Sequence, residues 1–242
     1  ARVMILRARV EYQKMEETLR FETLIKQADI LHVHMSADNS FYRKAVFIRK
    51  AYKERKKIII HMHGSTFDLF YKERCNDEQK RQVKEIFAMA DKVIALSEDW
   101  KEFLAEYICD AEKIEVIYNA VKIPEPYSKD YSNQKMLFLG ILGQRKGTYD
   151  LIEVLPEIFQ NYPDSHVYFG GDGEQKQAEQ LCREKEIAEH VTFLGWVRGA
   201  EKEKLLKECS IYVLPTYHEG MPMSVLEAMA YGMAVVSTYV GG

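Results

Sequence analysis

Two glutamates near the C-terminal end of the chain are its strongest candidates for chemistry. Glu219 lies in a predicted loop at 217–221, and Glu227 follows eight residues later within an apolar segment. Carboxylates only accept hydrogen bonds and sugar hydroxyls can donate them, so this pair is suited to holding a sugar. The alternative is that Glu219 caps a helix and Glu227 is a solvated helix residue. The apolar neighbours of Glu227 argue against that alternative, because a glutamate in such surroundings needs a partner.

The elements around these acids indicate how they are positioned. Apolar runs predict strands at 211–214 and 234–237, and a helix at 224–231 lies between them. Pro222 suits the first turn of that helix, and Gly232 suits its left-handed end. A helix N-terminus presents N–H groups and a positive dipole end to an anion. The sequence therefore predicts a phosphate seat beside an acid, formed by Gly220, Met221, Pro222, Met223 and Ser224.

Glycines mark a second candidate for phosphate binding at 138–147. Gly140 and two further glycines of this segment allow backbone to approach a ligand closely, and Lys146 can neutralise a diphosphate. The alternative is an ordinary surface turn. Gly171 and Asp172 lie in another glycine-rich turn after a predicted strand. That turn lacks the spacing of a dinucleotide fingerprint, which argues against an NAD-dependent enzyme.

Four histidines lie in two predicted strands. His32 and His34 share one face of the first strand, and His61 and His63 share one face of the second. If the strands are neighbours, four imidazoles converge, and a metal site is one interpretation. The other is that they are hydrogen-bonded polar residues near the strand ends, and on that interpretation we expect no metal. His63 stands apart because the following glycine permits a close approach at the strand end.

The run at 218–232, with 235–238 and the terminal Gly241-Gly242, resembles the two-glutamate signature of retaining, nucleotide-sugar-dependent glycosyltransferases of family four. Loop glycine, helix proline, Glu-Ala-Met-Ala and Gly-Gly occur together in that family's order. The resemblance implies that Glu219 holds donor sugar hydroxyls and Glu227 the ribose. It also implies that Lys146 binds the diphosphate and that His63 faces the donor sugar.

Further segments extend the resemblance, with two departures. Asn119 matches a later segment of the family's first domain, although Ala120 follows it where glycine is usual. The turn with Gly171 and Asp172 resembles the family's turn near the nucleotide. Ile141 stands where the family has an arginine. Either Arg145 supplies that charge from a shifted loop, or donor binding is weaker than usual.

Alternation of strand and helix predicts an α/β chain with parallel sheets. The resemblance implies two Rossmann-like domains facing each other across a cleft, the B-type glycosyltransferase fold. We expect an acceptor-side domain at 1–125 and a nucleotide-sugar-binding domain at 126–242, separated near a polar segment that holds two of the six prolines. The resemblance covers 28–242, and family members extend beyond both ends, so we expect a fragment. Helices are predicted at 15–27, 41–54, 77–90, 99–107, 148–161, 174–186 and 201–208, and further strands at 30–34, 57–63, 92–96, 113–118, 136–139, 166–169 and 191–194.

Composition narrows the class of protein. No apolar run reaches the roughly 18 residues that span a bilayer, and four scattered cysteines indicate reduced thiols in a cytoplasmic protein. Eight basic residues and one acid, Glu54, lie in the segment that begins at Arg43 and ends at Lys57. This basic amphipathic helix is either an ordinary solvated helix or a peripheral contact with anionic membrane. Nucleic acid is not expected as a partner, because the chain is acidic overall, with a net charge of −3.

Together these residues and the resemblance imply a retaining, metal-independent transferase that needs no cofactor. It would move a sugar from a nucleoside diphosphate to a sugar or lipid-linked acceptor in surface polysaccharide or glycolipid biosynthesis. The departing diphosphate would be stabilised by Lys146 and a helix N-terminus. Two alternatives stay open: a nucleotide-sugar epimerase of the same fold, and a non-catalytic module that binds a nucleotide sugar or a lipid surface.

Overall fold

The computed structural model of the chain describes residues 1–6 and 15–241. These residues form two compact units. The first unit contains Ala1–Asn119, joined by Glu219–Met221 and Gly241, and the second contains Ala120–His218 and Pro222–Val240. Each unit has its own parallel sheet and its own hydrophobic core.

The first unit is built on a five-stranded parallel sheet in sequential order, β1-β2-β3-β4-β5. Its strands are β1 (Val3–Leu6), β2 (Ile30–Met35), β3 (Lys57–Met62), β4 (Lys92–Ala95) and β5 (Ile114–Val116). Its helices are α1 (Met15–Gln27), α2 (Asn39–Lys53), α3 (Phe67–Leu69), α4 (Asp77–Ala88) and α5 (Glu98–Tyr107). Right-handed crossovers between strands in this order place the helices on one face of the sheet.

Burial along the strands follows that arrangement. In β2, Leu31, Val33 and Met35 are fully buried, and the residues between them, including His32 and His34, are half-buried. The same alternation continues in β3. One face of the sheet therefore forms the core of the unit, and the other face carries the histidines.

Side-chain caps mark the starts of two helices in this unit. Asn76 and Gln79 form a reciprocal capping box at the start of α4, each side chain accepting from the other residue's N–H at 2.9 Å. Ser97 accepts from the Trp100 N–H at the start of α5. α3, which lies between β3 and α4 in the chain, continues into a π-helical turn at Phe70–Arg74.

The second unit has a parallel sheet of order β10-β9-β6-β7-β8. Its strands are β6 (Lys135–Leu139), β7 (His166–Gly170), β8 (Val191–Gly195), β9 (Ile211–Leu214) and β10 (Ala234–Ser237). Its helices are α6 (Thr148–Asn161), α7 (Gln175–Glu184), α8 (Gly199–Glu208) and α9 (Met223–Ala230). The strand order reverses between β6 and β9, and ligands of open α/β sheets bind outside the carboxyl ends of strands at such a switch point.

Most predicted elements are confirmed with shifts of one or two residues, and α6, β9 and β10 have the predicted bounds. The strand predicted at 113–118 is shorter, ending at Val116. Gly232 has the predicted left-handed backbone, with a φ of +67°. Pro156 does not interrupt α6, which runs through it as one helix. β1, α3 and the π-helical turn were not predicted from the sequence.

Candidate functional site

Glycines bring two loops of the second unit into contact at the carboxyl end of its sheet. A Cβ atom on Gly171, whose φ is +156°, would lie 1.8 Å from the carbonyl oxygen of Gly140. The Leu142 N–H donates to the Asp172 carbonyl at 2.7 Å, and the Glu174 N–H donates to the Leu142 carbonyl at 3.0 Å. The loops that follow β6 and β7 are therefore joined through their backbones.

A second close approach joins the loop after β6 to the loop after β9. Gly147 has a φ of +69°, and a Cβ there would lie 1.9 Å from the Pro215 carbonyl oxygen. The Arg145 carbonyl accepts from the Tyr217 N–H at 2.9 Å, and Arg145 Nη1 donates to the His218 carbonyl at 3.0 Å. These are the loops that flank the switch point between β6 and β9.

Lys146 lies in the same loop and follows the backbone of Gly140. A Cβ on Gly140 would lie 3.5 Å from Lys146 Cε, so the aliphatic part of the lysine occupies the space that the glycine leaves open. Ile141 has a side chain that is 55% exposed. The basic residues of this loop are Arg145 and Lys146.

Helix α9 begins beside these loops in sequence. Pro222 is its N-cap, with φ −71° and ψ 113°, rather than a residue of its first turn. Met223 and Ser224 carry the first N–H groups, which have no intrahelical acceptor in any helix. The helix is less buried than its apolar sequence suggests, because only Ala228 is buried and Met229 is 59% exposed.

Glu227 has the partner that its apolar neighbours predict. Its Oε1 lies 2.6 Å from Nζ of Lys202 on α8, and the two side chains are 24% and 32% exposed. A partly exposed pair of this kind stabilises a fold by about 1 kcal/mol or less. Lys202 was not identified from the sequence, since 25 residues separate it from Glu227 and no local spacing links them.

Residues 219–221 of the loop before α9 belong to the first unit. Glu219 is 8% exposed, and a Cβ on Gly220 would lie 3.8 Å from the His63 carbonyl oxygen. Asn119 Nδ2 donates to the Met221 carbonyl at 2.9 Å. The structure therefore brings His63, Asn119 and residues 219–221 together within this unit.

The four histidines converge on one face of β2 and β3, as the predicted neighbouring strands require. His34 is opposite His61 in the register of the sheet. His32 Nε2 lies 3.2 Å from His61 Nδ1. The His63 ring stacks on His34, with ring centroids 4.4 Å apart and planes 2° apart, and its centroid is 4.1 Å from that of His61.

The basic segment forms most of helix α2 and the turn after it. Phe41, Phe47 and Ile48 are buried, so they pack inward and do not offer an apolar surface. Lys44 is also buried, and its Nζ donates to Ser40 Oγ at 2.8 Å. The end of the segment lines a concave surface that encloses a volume of about 760 Å³. One acid, Asp91, and five basic residues line it, and the basic residues are Lys53, Arg55, Lys56, Lys57 and Lys113.

Asp91 is itself held by this surface. Partial burial disfavours its carboxylate, but hydrogen bonds from Lys57 and from the Ile58 N–H outweigh that effect and lower the Asp91 pKa. The single acid of the concave surface is therefore neutralised locally, and the remaining cations give the surface a positive charge.

All four cysteines are unpaired thiols, as predicted. Burial raises the pKa of three of them to about 11: Cys109, Cys182 and Cys209. These thiols are protonated at neutral pH, which fits a packing role and not a nucleophilic one. Among the described residues, no helix is both long and apolar enough to cross a bilayer.

Two family models match the chain. "Glycosyltransferase Family 4" matches residues 3–123, which is half of the chain, and "Glycosyl transferases group 1" matches residues 133–242. An uncharacterized glycosyltransferase of Methanocaldococcus jannaschii, MJ1607, is 30% identical over 195 residues, which is 70% of this chain and 49% of the relative.

Two further similarities come from proteins of known activity or structure. The phosphatidyl-myo-inositol mannosyltransferase of Mycobacterium tuberculosis is 36% identical over 106 residues, 43% of this chain and 27% of the relative. Among solved structures, Anabaena Alr3699/HepE in complex with UDP and glucose is similar with a TM-score of 0.73 at 21% identity, covering 93% of this chain and 62% of that chain. The chain spans about half the length of MJ1607, and still less of the mannosyltransferase.

Proposed function

This chain belongs to the group 1 glycosyltransferases and has a B-type glycosyltransferase fold, and we propose that it takes part in a retaining sugar transfer. The donor is a nucleoside diphosphate sugar, and the acceptor is a sugar or a lipid-linked sugar in surface polysaccharide or glycolipid biosynthesis. The chain spans only part of its relatives, so the proposal concerns the full-length protein.

The observation that carries this proposal is the set of loops at the switch point of the second sheet. The backbones of these loops approach so closely at Gly147 and Gly171 that a Cβ atom would overlap a carbonyl oxygen. Such packing holds backbone and the side chains of Arg145 and Lys146 at the place where open α/β sheets bind ligands. The segment at 126–242 is, in this proposal, the nucleotide-sugar-binding domain, and 1–125 is the acceptor-side domain.

The roles follow from the charge that develops during transfer. As the glycosidic bond of the donor breaks, negative charge accumulates on the departing diphosphate. Lys146 and the N-terminus of α9, from Pro222 to Ser224, stabilise that charge without a metal ion. Glu219 and His63 contact the donor sugar, and Glu227 accepts from the ribose hydroxyls. The phosphates lie beside Gly140 and Gly220, the nucleotide lies near Gly171 and Asp172, and Asn119 and Met221 line the site.

Known relatives support a donor and acceptor of this kind. The Anabaena protein Alr3699/HepE has been solved with UDP and glucose, and the mycobacterial relative is a phosphatidyl-myo-inositol mannosyltransferase. A nucleotide-sugar donor and a glycolipid or polysaccharide product are therefore our proposal for this chain. An epimerase forms product without an acceptor, so an acceptor-free reaction separates that activity from transfer.

The experiment uses the full-length protein and two glutamate variants. UDP, GDP and their glucose and mannose derivatives are screened for a rise in the thermal unfolding temperature, since ligands of the native state stabilise it. E227Q is expected to weaken the binding of the free nucleotide. E219A is expected to weaken chiefly the binding of the intact nucleotide sugar. E157A changes an exposed glutamate of α6 and serves as the control. Equal losses for both ligands in both variants would contradict the assignment.

The stereochemistry is tested on the product. With the donor and acceptor identified, the anomeric configuration of the new bond is read by NMR early in the reaction. Retention is expected, and an inverted product would refute the retaining mechanism while leaving the nucleotide-binding assignment intact.

Peripheral contact with anionic membrane at the inner face of a cytoplasmic membrane is a further part of the proposal. The concave basic surface near the end of α2 supports it, because each Lys or Arg near an anionic surface contributes about 1 kcal/mol. Lys53 and Arg55 are exposed members of that surface. Reversing both charges is expected to weaken binding to anionic vesicles at low salt by at least about 30-fold.

A matched control separates local contact from net charge. K176E/R198E makes the same change in charge on exposed residues of the second unit. It is expected to bind anionic vesicles nearly as well as the wild type, and neither variant should bind neutral vesicles. If K53E/R55E and the control lose binding equally, or if the wild-type protein ignores anionic vesicles, the membrane contact is wrong and α2 is an ordinary solvated helix.

A further inference from the structure

The histidine face of the first sheet holds a donor set that the transfer reaction does not use. His32, His34 and His61 each offer one ring nitrogen, and these three atoms lie within 4.8 Å of one another. His32 and His34 are two residues apart in β2 and therefore share one face of the strand. His61 in β3 is paired with His34 in the register of the sheet. The arrangement is set by strand register and does not depend on a loop.

The distances suit a metal ion. A tetrahedral ion with metal–nitrogen bonds of about 2.0–2.1 Å places its ligand nitrogens about 3.3–3.4 Å apart. The separation of His32 Nε2 and His61 Nδ1 is 3.2 Å. The third residue, His34, offers a ring nitrogen within 4.8 Å of a ring nitrogen on each of the other two. The three side chains are half-buried.

His63 lies beside the donor set but is not part of it. The ring nitrogens that lie within 4.8 Å of one another belong to His32, His34 and His61. The His63 ring stacks on His34, with planes 2° apart. Three protein ligands leave the fourth coordination position to water or to a ligand, as in open zinc sites.

We propose that His32, His34 and His61 form a binding site for a divalent metal ion that prefers nitrogen ligands, such as Zn²⁺. Three neutral imidazoles suit Zn²⁺, Co²⁺, Ni²⁺ and Cu²⁺, whereas Mg²⁺ and Ca²⁺ require oxygen ligands. A bound ion would link β2 to β3 and fix the rings on which His63 stacks. The site is separate from the diphosphate-binding groups, and its occupancy is measured without a sugar donor.

The test is a titration of chelator-treated, full-length protein with Zn²⁺ alone, followed by calorimetry, and with Co²⁺ alone, followed by visible absorption. One equivalent of metal is expected, and Co²⁺ should give the absorption of a low-coordinate site. The double variant H32N/H61N is expected to bind Zn²⁺ at least about 10-fold more weakly. H166N/H190N removes two histidines of the second unit and is expected to bind like the wild type.

Two further variants keep the result decisive. H34Q removes a single ligand and serves if the double variant does not fold, as judged by circular dichroism of the metal-free proteins. H32C replaces an imidazole with a thiolate, which also binds zinc, and is expected to retain one equivalent. The proposal is overturned if the wild type shows no saturable Zn²⁺ binding, or if H32N/H61N or H34Q binds as tightly as the wild type. The 3.2 Å contact would then be an imidazole–imidazole hydrogen bond.

Discussion

Replacing Gly147 with alanine tests the loop packing that supports the donor site. The residue ends the 3₁₀ turn Gln144–Lys146 and precedes α6, with φ +69° and ψ 26°. An alanine there meets two separate costs. One is the left-handed backbone, and the other is the overlap of its Cβ with the Pro215 carbonyl oxygen, 1.9 Å away.

The two costs can be given magnitudes and separated by a control. A left-handed conformation costs a non-glycine residue about 1–2 kcal/mol, and an overlap that forces neighbouring backbone to move costs about 1–3 kcal/mol. G147A is therefore expected to lose about 2–5 kcal/mol of unfolding free energy. Gly195 has nearly the same φ, +65°, with nothing within 4 Å of its Cβ position. G195A should lose only the first part.

Urea unfolding followed by far-UV circular dichroism measures both variants, with the slope of free energy against urea checked for constancy. Both glycines lie in the second unit, so any unfolding step that involves the first unit affects the two variants alike. G147A should also bind the nucleoside diphosphate more weakly than G195A. Equal losses of stability in G147A and G195A would refute the close approach to Pro215 and with it the fixed geometry of the loop.

Three further outcomes are expected. K202M should change the free energy of unfolding by less than about 1 kcal/mol. It should strengthen nucleotide binding about 2–5-fold, because Glu227 loses a competing partner. Weaker nucleotide binding would mean that Lys202 itself contacts the ligand. Transfer by the full-length enzyme should survive EDTA, and a complete loss restored by Mg²⁺ or Mn²⁺ would contradict the proposed mechanism. At pH 8 the thiols of the native protein should react slowly with iodoacetamide, because the pKa values of three of them are raised to about 11. The same thiols should react quickly after unfolding in urea. Rapid labelling of the native protein would contradict their burial.

Prediction from the sequence succeeded where the signal is local. Periodicity and end residues predicted α6 and the strand–helix–strand unit around Glu227 with small errors. Contacts between distant residues could not be derived in this way. The partner of Glu227 on α8, and the overlap that would arise between residue 147 and Pro215, depend on how separate elements pack.

The missed elements have a similar explanation. β1 pairs with β2, and its short apolar run does not by itself distinguish a strand from a buried helix segment. The π-helical turn Phe70–Arg74 begins at Phe70, whose ring contacts that of Phe67 with centroids 5.4 Å apart, and no sequence pattern predicts a π-helical turn there. For the histidines, the sequence showed that each pair shares a face, but the 3.2 Å contact required the register of β2 against β3.

The alternation of burial along β2 divides the strand between two kinds of evolutionary constraint. Leu31, Val33 and Met35 fill the core, where truncation of a large side chain typically costs 2–5 kcal/mol. His32 and His34 alternate with them on the half-buried face, where a change of polarity removes no core volume. Related chains can therefore gain, exchange or lose reactive side chains in the middle of this strand while the fold is preserved.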